Sequence, residues 1–286
     1  LLEQLHRFQK DTVLFASMFK TVAKGKEVDF RELRGVTFEQ KLPQEINAKE
    51  KTEMIDILEE NWKSQKPAVA DWVRAGFEKK IDPNNQDTHF YILKKNGKVM
   101  AFIRFDERRD LGEHVLYAGS LNVSPELRGS ALGETVLRKT IDNEAKDNII
   151  YADFFPEVLA GTLYIEQMGW IVTGVEEVVV DAQGTKERRL LMERNDVLNQ
   201  GYRSRQAVSK QALISASEAK DPRKEWNVAT FELPQQTQLF VDAVDRATRS
   251  NFVMTRYFAD DKRKGTYYVV FEPQHFQEEI SERLAA

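Results

Sequence analysis

One segment near the middle of the chain constrains the fold more than any other part. A β-rich run, Leu121–Val123, breaks at Pro125, and a helical pattern starts a few residues later. Small residues alternate at that start, namely Gly129, Ala131 and Gly133. Such residues let backbone N–H groups approach a ligand closely, and the start of a helix offers unpaired donors and a favourable dipole. The segment therefore predicts a strand–turn–helix cradle for an anion such as pyrophosphate, to which Arg128 adds a charged donor.

This cradle has a simpler alternative, because Pro-Glu-Leu-Arg-Gly also fits a plain turn from a strand into a helix. Two other phosphate-binding motifs are excluded, since neither G-x-G-x-x-G nor G-x-x-x-x-G-K-[ST] occurs here. A Rossmann fold and a P-loop are therefore not expected.

Hydrophobic periodicity predicts strands and helices on both sides of the cradle. Before it we expect the strand Val36–Leu42, a helix opened by Asn47 and Glu50, a helix after Pro67, and the strands His89–Lys95, Lys98–Asp106 and Val115–Val123. Asn96-Gly97 joins two of these strands into a hairpin, because both residues tolerate positive φ. After it we expect a helix ending near Asp147, the strand Ile149–Phe155, the helix Glu157–Met168, and the strands Trp170–Val180 and Lys186–Glu193.

The domain prediction has four parts. Residues 1–30 form an amino-terminal amphipathic helix, residues 31–195 the main α/β domain, residues 196–225 a helical linker, and residues 226–286 a small βαββ unit. The elements of this last unit are Trp226–Leu233, Gln235–Arg249, Phe252–Phe258 and Thr266–Phe271. It is small for an independent domain.

The chain resembles the GNAT superfamily of acetyl-CoA-dependent N-acetyltransferases over residues 36–194. The hallmark of that family is a strand ending in Val-x-Pro-x-x-Arg-Gly-x-Gly/Ala-x-Gly that runs into a helix. The positions in register here are Val123, Pro125, Arg128, Gly129, Ala131 and Gly133. The resemblance implies an α/β (α+β) fold with a mixed, mostly antiparallel sheet flanked by helices, extended here by an amino-terminal helix and a small carboxy-terminal α+β addition.

The resemblance also implies which residues bind acetyl-CoA, the acyl donor. The backbone around Arg128–Gly133 would hold the pyrophosphate, and the end of the Leu121–Val123 strand would line the pantetheine arm and offer an N–H to the oxyanion. The implied set comprises Leu121, Asn122, Val123, Arg128, Gly129, Ser130, Ala131, Leu132 and Gly133.

The chemistry implied by the family is direct attack of a neutral amine on the thioester, which needs a base, oxyanion donors and an acid for the thiolate. Tyr164 is the candidate acid, although counting back four residues from Gly169 gives Ile165 and leaves Tyr164 one position away. Asp153 is the candidate base, ahead of Asp106, Glu113 and His114. Each also fits a simpler role, Asp153 as a helix cap or a solvated carboxylate and Tyr164 as a core residue, and a water chain could replace a fixed base.

Composition narrows the partners. The net charge of −4 and the pI near 5.8 argue against a nucleic-acid partner. The sequence contains no apolar run of the about 20 residues needed to span a bilayer, so we expect no membrane partner. The chain has no Cys, and its four His lack metal-ligand spacing, so we expect no metal and a cytoplasmic location. The expected partner is a small-molecule or peptide amine acceptor, with the acidic balance favouring a cationic one, and a homodimer stays open.

Three alternatives remain at this point. The protein could be a catalytically degenerate acyl-CoA-binding sensor or scaffold, which the displaced Tyr164 would favour. Residues 200–286 could be a second acyltransferase-like lobe, although they lack an Arg-Gly-x-Gly/Ala segment. Third, the amino-terminal helix and the carboxy-terminal unit could recruit a protein partner.

Overall fold

The structure is a computed structural model that describes residues 35–128, 131–156, 165–166, 168–195, 210 and 227–274, with the backbone alone for 131–137. The chain divides after Asp147 into two compact units. Each unit is described by itself.

The first unit contains a sheet of four consecutive antiparallel strands. They are β1 (Val36–Lys41), β2 (Thr88–Lys95), β3 (Lys98–Glu107) and β4 (Val115–Val123), paired in that order. The turn between β2 and β3 has positive φ at Asn96 and Gly97, so the predicted hairpin is confirmed.

Two helices cover one face of this sheet, α1 (Ala48–Gln65) and α2 (Ala70–Lys80). The apolar stripe of α1 supplies Met54, Ile57 and Leu58 to a buried cluster with Phe90 and Phe102 of the strands. Asn47 and Glu50 form the predicted capping box, each side chain accepting a hydrogen bond from the other residue's backbone N–H.

The third helix, α3 (Ala131–Glu144), follows a short 3-10 turn at Pro125–Leu127. Its last residue, Glu144, accepts a 2.5 Å hydrogen bond from the hydroxyl of Tyr91. Because successive residues of a strand point to opposite faces, Tyr91 lies on the other face from Phe90, and α3 therefore covers the side away from α1. The helix ends three residues before the predicted Asp147, which closes a turn with Glu144 instead.

The second unit contains the strands β5 (Ile149–Phe154), β6 (Ile171–Val179), β7 (Lys186–Arg194), β8 (Asn227–Glu232), β9 (Phe252–Ala259) and β10 (Thr266–Pro273). Antiparallel pairing joins them in the order β5-β7-β6-β9-β10-β8. Helix α4 (Thr237–Arg249) packs on β6 and β9. The carboxy-terminal βαββ elements therefore belong to the same sheet as β5–β7.

The predicted fold class is confirmed, because mostly antiparallel strands lie against helices throughout the described residues. The division after Asp147 falls inside the predicted domain 31–195. The predicted helix at 1–30 lies outside the described residues, as does nearly all of the linker 196–225. The four domain boundaries stay a prediction.

Candidate functional site

Strand β4 carries a bulge just before the predicted cradle. Gly119 pairs with Arg104 and Asn122 pairs with Phe102, so Ser120 and Leu121 stand opposite the single residue between them on β3. Ser120 has φ of 52°, which is the left-handed region that few residues other than glycine adopt. Such a bulge bends the strand and redirects its groups, and it is a frequent feature beside active sites.

The segment after β4 turns sharply towards α3. The N–H of Ser124 donates to the carbonyl of Met100 at 2.8 Å, which fixes the end of the strand. The 3-10 turn closes with two further hydrogen bonds, from Leu127 to Ser124 and from Arg128 to Pro125. Arg128 itself is extended and exposed, so its side chain stands just ahead of the first turn of α3.

An amide side chain of α1 holds this turn in place. Asn61 is buried, and its Nδ2 donates to Oδ1 of Asn122 at 2.8 Å and to the carbonyl of Val123 at 3.3 Å. Its Oδ1 accepts a hydrogen bond from Nη2 of Arg128. Asn61 therefore joins the end of β4 to the arginine of the motif. The sequence offered one signal for it, a polar residue on the buried stripe of α1, and our sequence analysis missed it.

Two buried polar atoms at the end of β4 have no hydrogen-bond partner among the described residues. They are Nδ2 of Asn122 and Oγ of Ser124. Buried polar groups are nearly always paired with protein, water or a ligand, so an orphaned pair in one short segment indicates a place where a polar ligand or ordered water belongs.

The residues predicted to bind acetyl-CoA fall in one continuous stretch of the first unit. Leu121, Asn122 and Val123 end β4, Arg128 closes the turn, and Ala131, Leu132 and Gly133 begin α3. Gly129 and Ser130 lie outside the described residues. The strand–turn–helix geometry is thus as expected, while the binding role of these residues stays a prediction.

The candidate base Asp153 lies on β5 in the second unit and is engaged by a cation. Nη1 of Arg189 contacts Oδ2 of Asp153 at 2.9 Å, and Nη2 of the same arginine contacts Glu176 at 2.7 Å. An ion pair of this kind stabilises the charged carboxylate. The candidate acid Tyr164 lies outside the described residues.

The three less favoured bases lie in the first unit. Asp106 is buried on β3 and contacts Thr88 at 2.7 Å, Lys80 at 3.1 Å and Arg104 at 3.1 Å. Glu113 and His114 are exposed in the loop before β4. Asp106 therefore has a structural role, and within the described residues Glu113 and His114 have no contact that would hold them in a site.

A carboxyl that our sequence analysis missed lies on β7, the strand that pairs with the strand of Asp153. Glu193 of β7 pairs across the strands with Tyr151 of β5. Burial raises the pKa of Glu193, and its hydrogen bond with the Tyr151 hydroxyl offsets only part of that rise. Burial and the neighbouring Glu193 also raise the pKa of Tyr151. Glu193 and Tyr151 are neighbours only because of the register between β5 and β7, and no short sequence motif predicts that register.

The described ranges were also searched for metal-binding clusters and for membrane-spanning helices. No group of three or more His, Asp or Glu side chains there could hold a metal ion. None of the helices in those ranges is both long and apolar enough to cross a bilayer.

Comparison with known proteins gives a family and a set of structural neighbours. A search of curated proteins found no match. Similar solved structures include ElaA of Escherichia coli, with 16% identity, 56% of this chain and 99% of that chain covered, and a TM-score of 0.38. The PaiA N-acetyltransferase of Thermoplasma acidophilum, in complex with coenzyme A, has 14% identity, coverage of 56% and 98%, and a TM-score of 0.39.

A third neighbour is a GNAT superfamily phosphinothricin acetyltransferase of Sinorhizobium meliloti in complex with AcCoA, with 13% identity, coverage of 56% and 88%, and a TM-score of 0.40. Identities this low say nothing about a substrate. The family model described as "Acetyltransferase (GNAT) family" matches residues 51–170, a range that contains the bulge, the turn and the start of α3. Over residues 51–170 the chain therefore matches the GNAT family of acetyltransferases.

Proposed function

We propose that the protein transfers the acetyl group of acetyl-CoA to a primary amine. The observation that carries this proposal is the match of residues 51–170 to the acetyltransferase family, together with the strand–turn–helix segment inside that range. The acceptor would be a small molecule or a peptide, and we expect the reaction to take place in the cytoplasm.

The end of β4 and the start of α3 supply the groups that would hold the donor. The first N–H groups of a helix are unpaired and lie at the positive end of its dipole, so the first turn of α3 suits a pyrophosphate. Arg128 adds a charged donor that Asn61 already orients. The unpaired Nδ2 of Asn122 and Oγ of Ser124 are donors that a polar arm of the ligand could satisfy.

In the proposed reaction the amine nitrogen attacks the thioester carbonyl carbon directly. A C–N bond forms, the C–S bond breaks, and coenzyme A leaves as a thiolate that takes up a proton. The acceptor must first lose its ammonium proton, since only the neutral amine carries a free electron pair. An N–H of β4 near Asn122 and Val123 would face the developing oxyanion.

Asp153 and Tyr164 are the proposed base and acid. Glu193 is an additional candidate for the base, because it lies on the strand that pairs with the strand of Asp153 and because a carboxylate with a raised pKa is a stronger proton acceptor than an ordinary one. The ion pair between Asp153 and Arg189 favours a structural role for Asp153 and so adds weight to Glu193.

The alternative function is a degenerate acyl-CoA-binding sensor or scaffold. Two observations favour it, the one-residue displacement of Tyr164 from its expected position and the ion pair that occupies Asp153. Such a protein would bind acetyl-CoA without transferring its acetyl group.

Calorimetric titration of acetyl-CoA and free CoA, followed by thiol-release assays on a panel of amines, separates these functions. We expect binding in the micromolar range that Gly129→Trp abolishes, because a large side chain would fill the cradle. Gly76→Trp is the matched control, since Gly76 on α2 has open space around it. Thiol release with an amine supports the transferase, binding without release supports the sensor, and absence of binding by the wild type contradicts both.

A further inference from the structure

The guanidinium of Arg104 lies beside the β4 bulge and has no role in the proposed acetyl-CoA cradle. Arg104 lies on β3 and is only 7% exposed. In the register of the two strands it is opposite Gly119 of β4, where the bulge starts. Buried arginines are rare unless paired, and in the described residues Asp106 is the carboxylate that contacts this one.

Most of the hydrogen-bonding capacity of this guanidinium is unused. It has five N–H donors. Nη2 contacts Asp106 at 3.1 Å, and Nη1 donates a long 3.3 Å hydrogen bond to the hydroxyl of Ser120. Nε is buried and has no hydrogen-bond partner within the described ranges. The ring of Tyr117, 5.9 Å from the guanidinium carbon, adds a cation–π contact but accepts no conventional hydrogen bond.

The guanidinium of Arg104 packs against β4 at Gly119, where the strand has no side chain. A Cβ placed on Gly119 would lie 2.5 Å from Nη2 of Arg104 and 2.9 Å from the ring of Tyr117. Any other residue at position 119 would displace the arginine. The glycine therefore lets the guanidinium lie across β4 at the point where the bulge redirects the strand.

Arg104 shares its carboxylate partner with a second cation. Asp106 is the carboxylate that contacts Arg104, and the same carboxylate also contacts Lys80 of α2. Asp106 is thus divided between two cations, and the unpaired Nε of Arg104 could donate to an additional anionic group. A planar carboxylate suits the fork of an underused guanidinium, because the two can form parallel hydrogen bonds.

We propose that Arg104 binds a carboxylate of the acceptor, so that the acceptor is an amine of the amino-acid type. This inference rests on the proposed acetyl transfer and names its substrate class. It opposes the cationic acceptor that the net charge favours, because the charge beside the bulge is a local property and the net charge is not. The amine would be presented at the bulge while the carboxylate lies on Arg104.

The first test compares amino acids with the amines that differ from them only by loss of the carboxylate. We expect the wild type to favour the carboxylate-bearing member in kcat/KM by about tenfold or more, the range of a charged hydrogen bond. Arg104→Gln should abolish this preference while the affinity for acetyl-CoA stays unchanged. Gly119→Ala should reduce it in the same direction, because the added Cβ displaces the guanidinium.

Two further variants guard against loss of folding. Arg104→Met combined with Asp106→Asn removes both members of the buried ion pair and should fold without the preference. Lys80→Gln removes the other cation that contacts Asp106, and this variant should keep the preference for the carboxylate-bearing acceptor. An unchanged preference in the Arg104 variants, or none in the wild type, overturns the inference.

Direct binding makes the test independent of turnover. The protein saturated with free CoA is titrated with the same amino acids and amines. If the wild type binds the amino acids and Arg104→Gln does not, the carboxylate site is supported. This conclusion holds even if no thiol release occurs, and in that case only the proposed acetyl transfer is contradicted. Absence of amino-acid binding in the wild type overturns the site.

Discussion

A single amide, Asn61, connects α1 to the end of β4 and to Arg128 through three hydrogen bonds. We expect Asn61→Leu to destabilise the protein by about 2 kcal/mol, because the change leaves Oδ1 of Asn122 and the Val123 carbonyl without this donor. If Asn61 also positions Arg128, the variant should bind acetyl-CoA several-fold more weakly. Urea denaturation and calorimetric titration measure the two effects.

The matched control for this prediction is Ser64→Ala on the same helix. Ser64 is exposed, and its hydroxyl donates to the backbone carbonyl of Asn61. It should leave the affinity for acetyl-CoA unchanged. Equal affinities in Asn61→Leu and the wild type would show that Asn61 supports the fold without positioning the motif.

The residues that sequence reasoning found and those it missed differ in the range of their contacts. The cradle residues are consecutive, so a short motif predicted their strand–turn–helix placement. Asn61 and Glu193 act through partners 61 and 42 positions away, Asn122 and Tyr151. Such pairs depend on helix packing and strand register, which local periodicity does not encode.

At the scale of elements, the amino terminus of α1 is tied to the sheet through one carboxylate. Glu50 caps the helix and accepts hydrogen bonds from Lys41 of β1 at 2.8 Å and Lys94 of β2 at 2.7 Å. Burial alone would raise the pKa of Glu50, but these lysines outweigh it and lower the pKa from 4.5 to about 2. The charged form of Glu50 therefore links a helix to two strands.

This arrangement predicts a pH dependence of stability. A carboxyl whose pKa is lowered by folding stabilises the fold above its unfolded pKa, and the stabilisation is lost as the pH falls towards the folded value. We expect Glu50→Gln to lower the free energy of unfolding by about 2 kcal/mol at pH 7. The difference from wild type should shrink between pH 4.5 and about 2.

Urea denaturation across that pH range measures the effect. Glu60→Gln is the control, since Glu60 is an exposed carboxylate on the same helix. A difference between wild type and Glu50→Gln that stays constant down to pH 2 would contradict the assignment of the charge to this contact.

The element boundaries were predictable where a local signal was strong. The capping box predicted the start of α1, Asn96-Gly97 predicted the hairpin, and the β-rich run Val115–Val123 predicted β4. The bulge at Ser120 was not predictable, because serine rarely adopts positive φ and only the pairing with β3 reveals the extra residue. Local propensity yields to tertiary pairing at such positions.

At the scale of the molecule, the carboxy-terminal elements complete the sheet of the second unit. Val172 of β6 pairs with Met254 of β9, and Arg188 of β7 contacts Asp242 of α4 at 2.5 Å. The sequence predicted the βαββ order but not this pairing, because which strand edges meet is decided by long-range packing. The second unit should therefore unfold as one cooperative body, with β5–β7 depending on α4.

Phe240 of α4 tests this cooperativity. Its ring is fully buried and stacks on the ring of Tyr257, with 5.4 Å between the ring centroids. The centroid of the Phe231 ring lies 5.3 Å away. We expect Phe240→Ala to destabilise the second unit by about 3–5 kcal/mol, through lost burial and the cavity left behind. If the unit is cooperative, amide hydrogen exchange should speed up in β7 as well as in β9, although β7 is more than 40 positions away from Phe240 in the sequence.

The neighbouring Leu239 provides the control, because half of its surface is exposed. Leu239→Ala should cost less than about 1 kcal/mol and leave exchange in β7 unchanged. Faster exchange confined to residues 227–274 in Phe240→Ala would mean that the carboxy-terminal elements open by themselves. In that case they would be an appended module whose loss β5–β7 could survive, and the residues that match the acetyltransferase family would not need them for their fold.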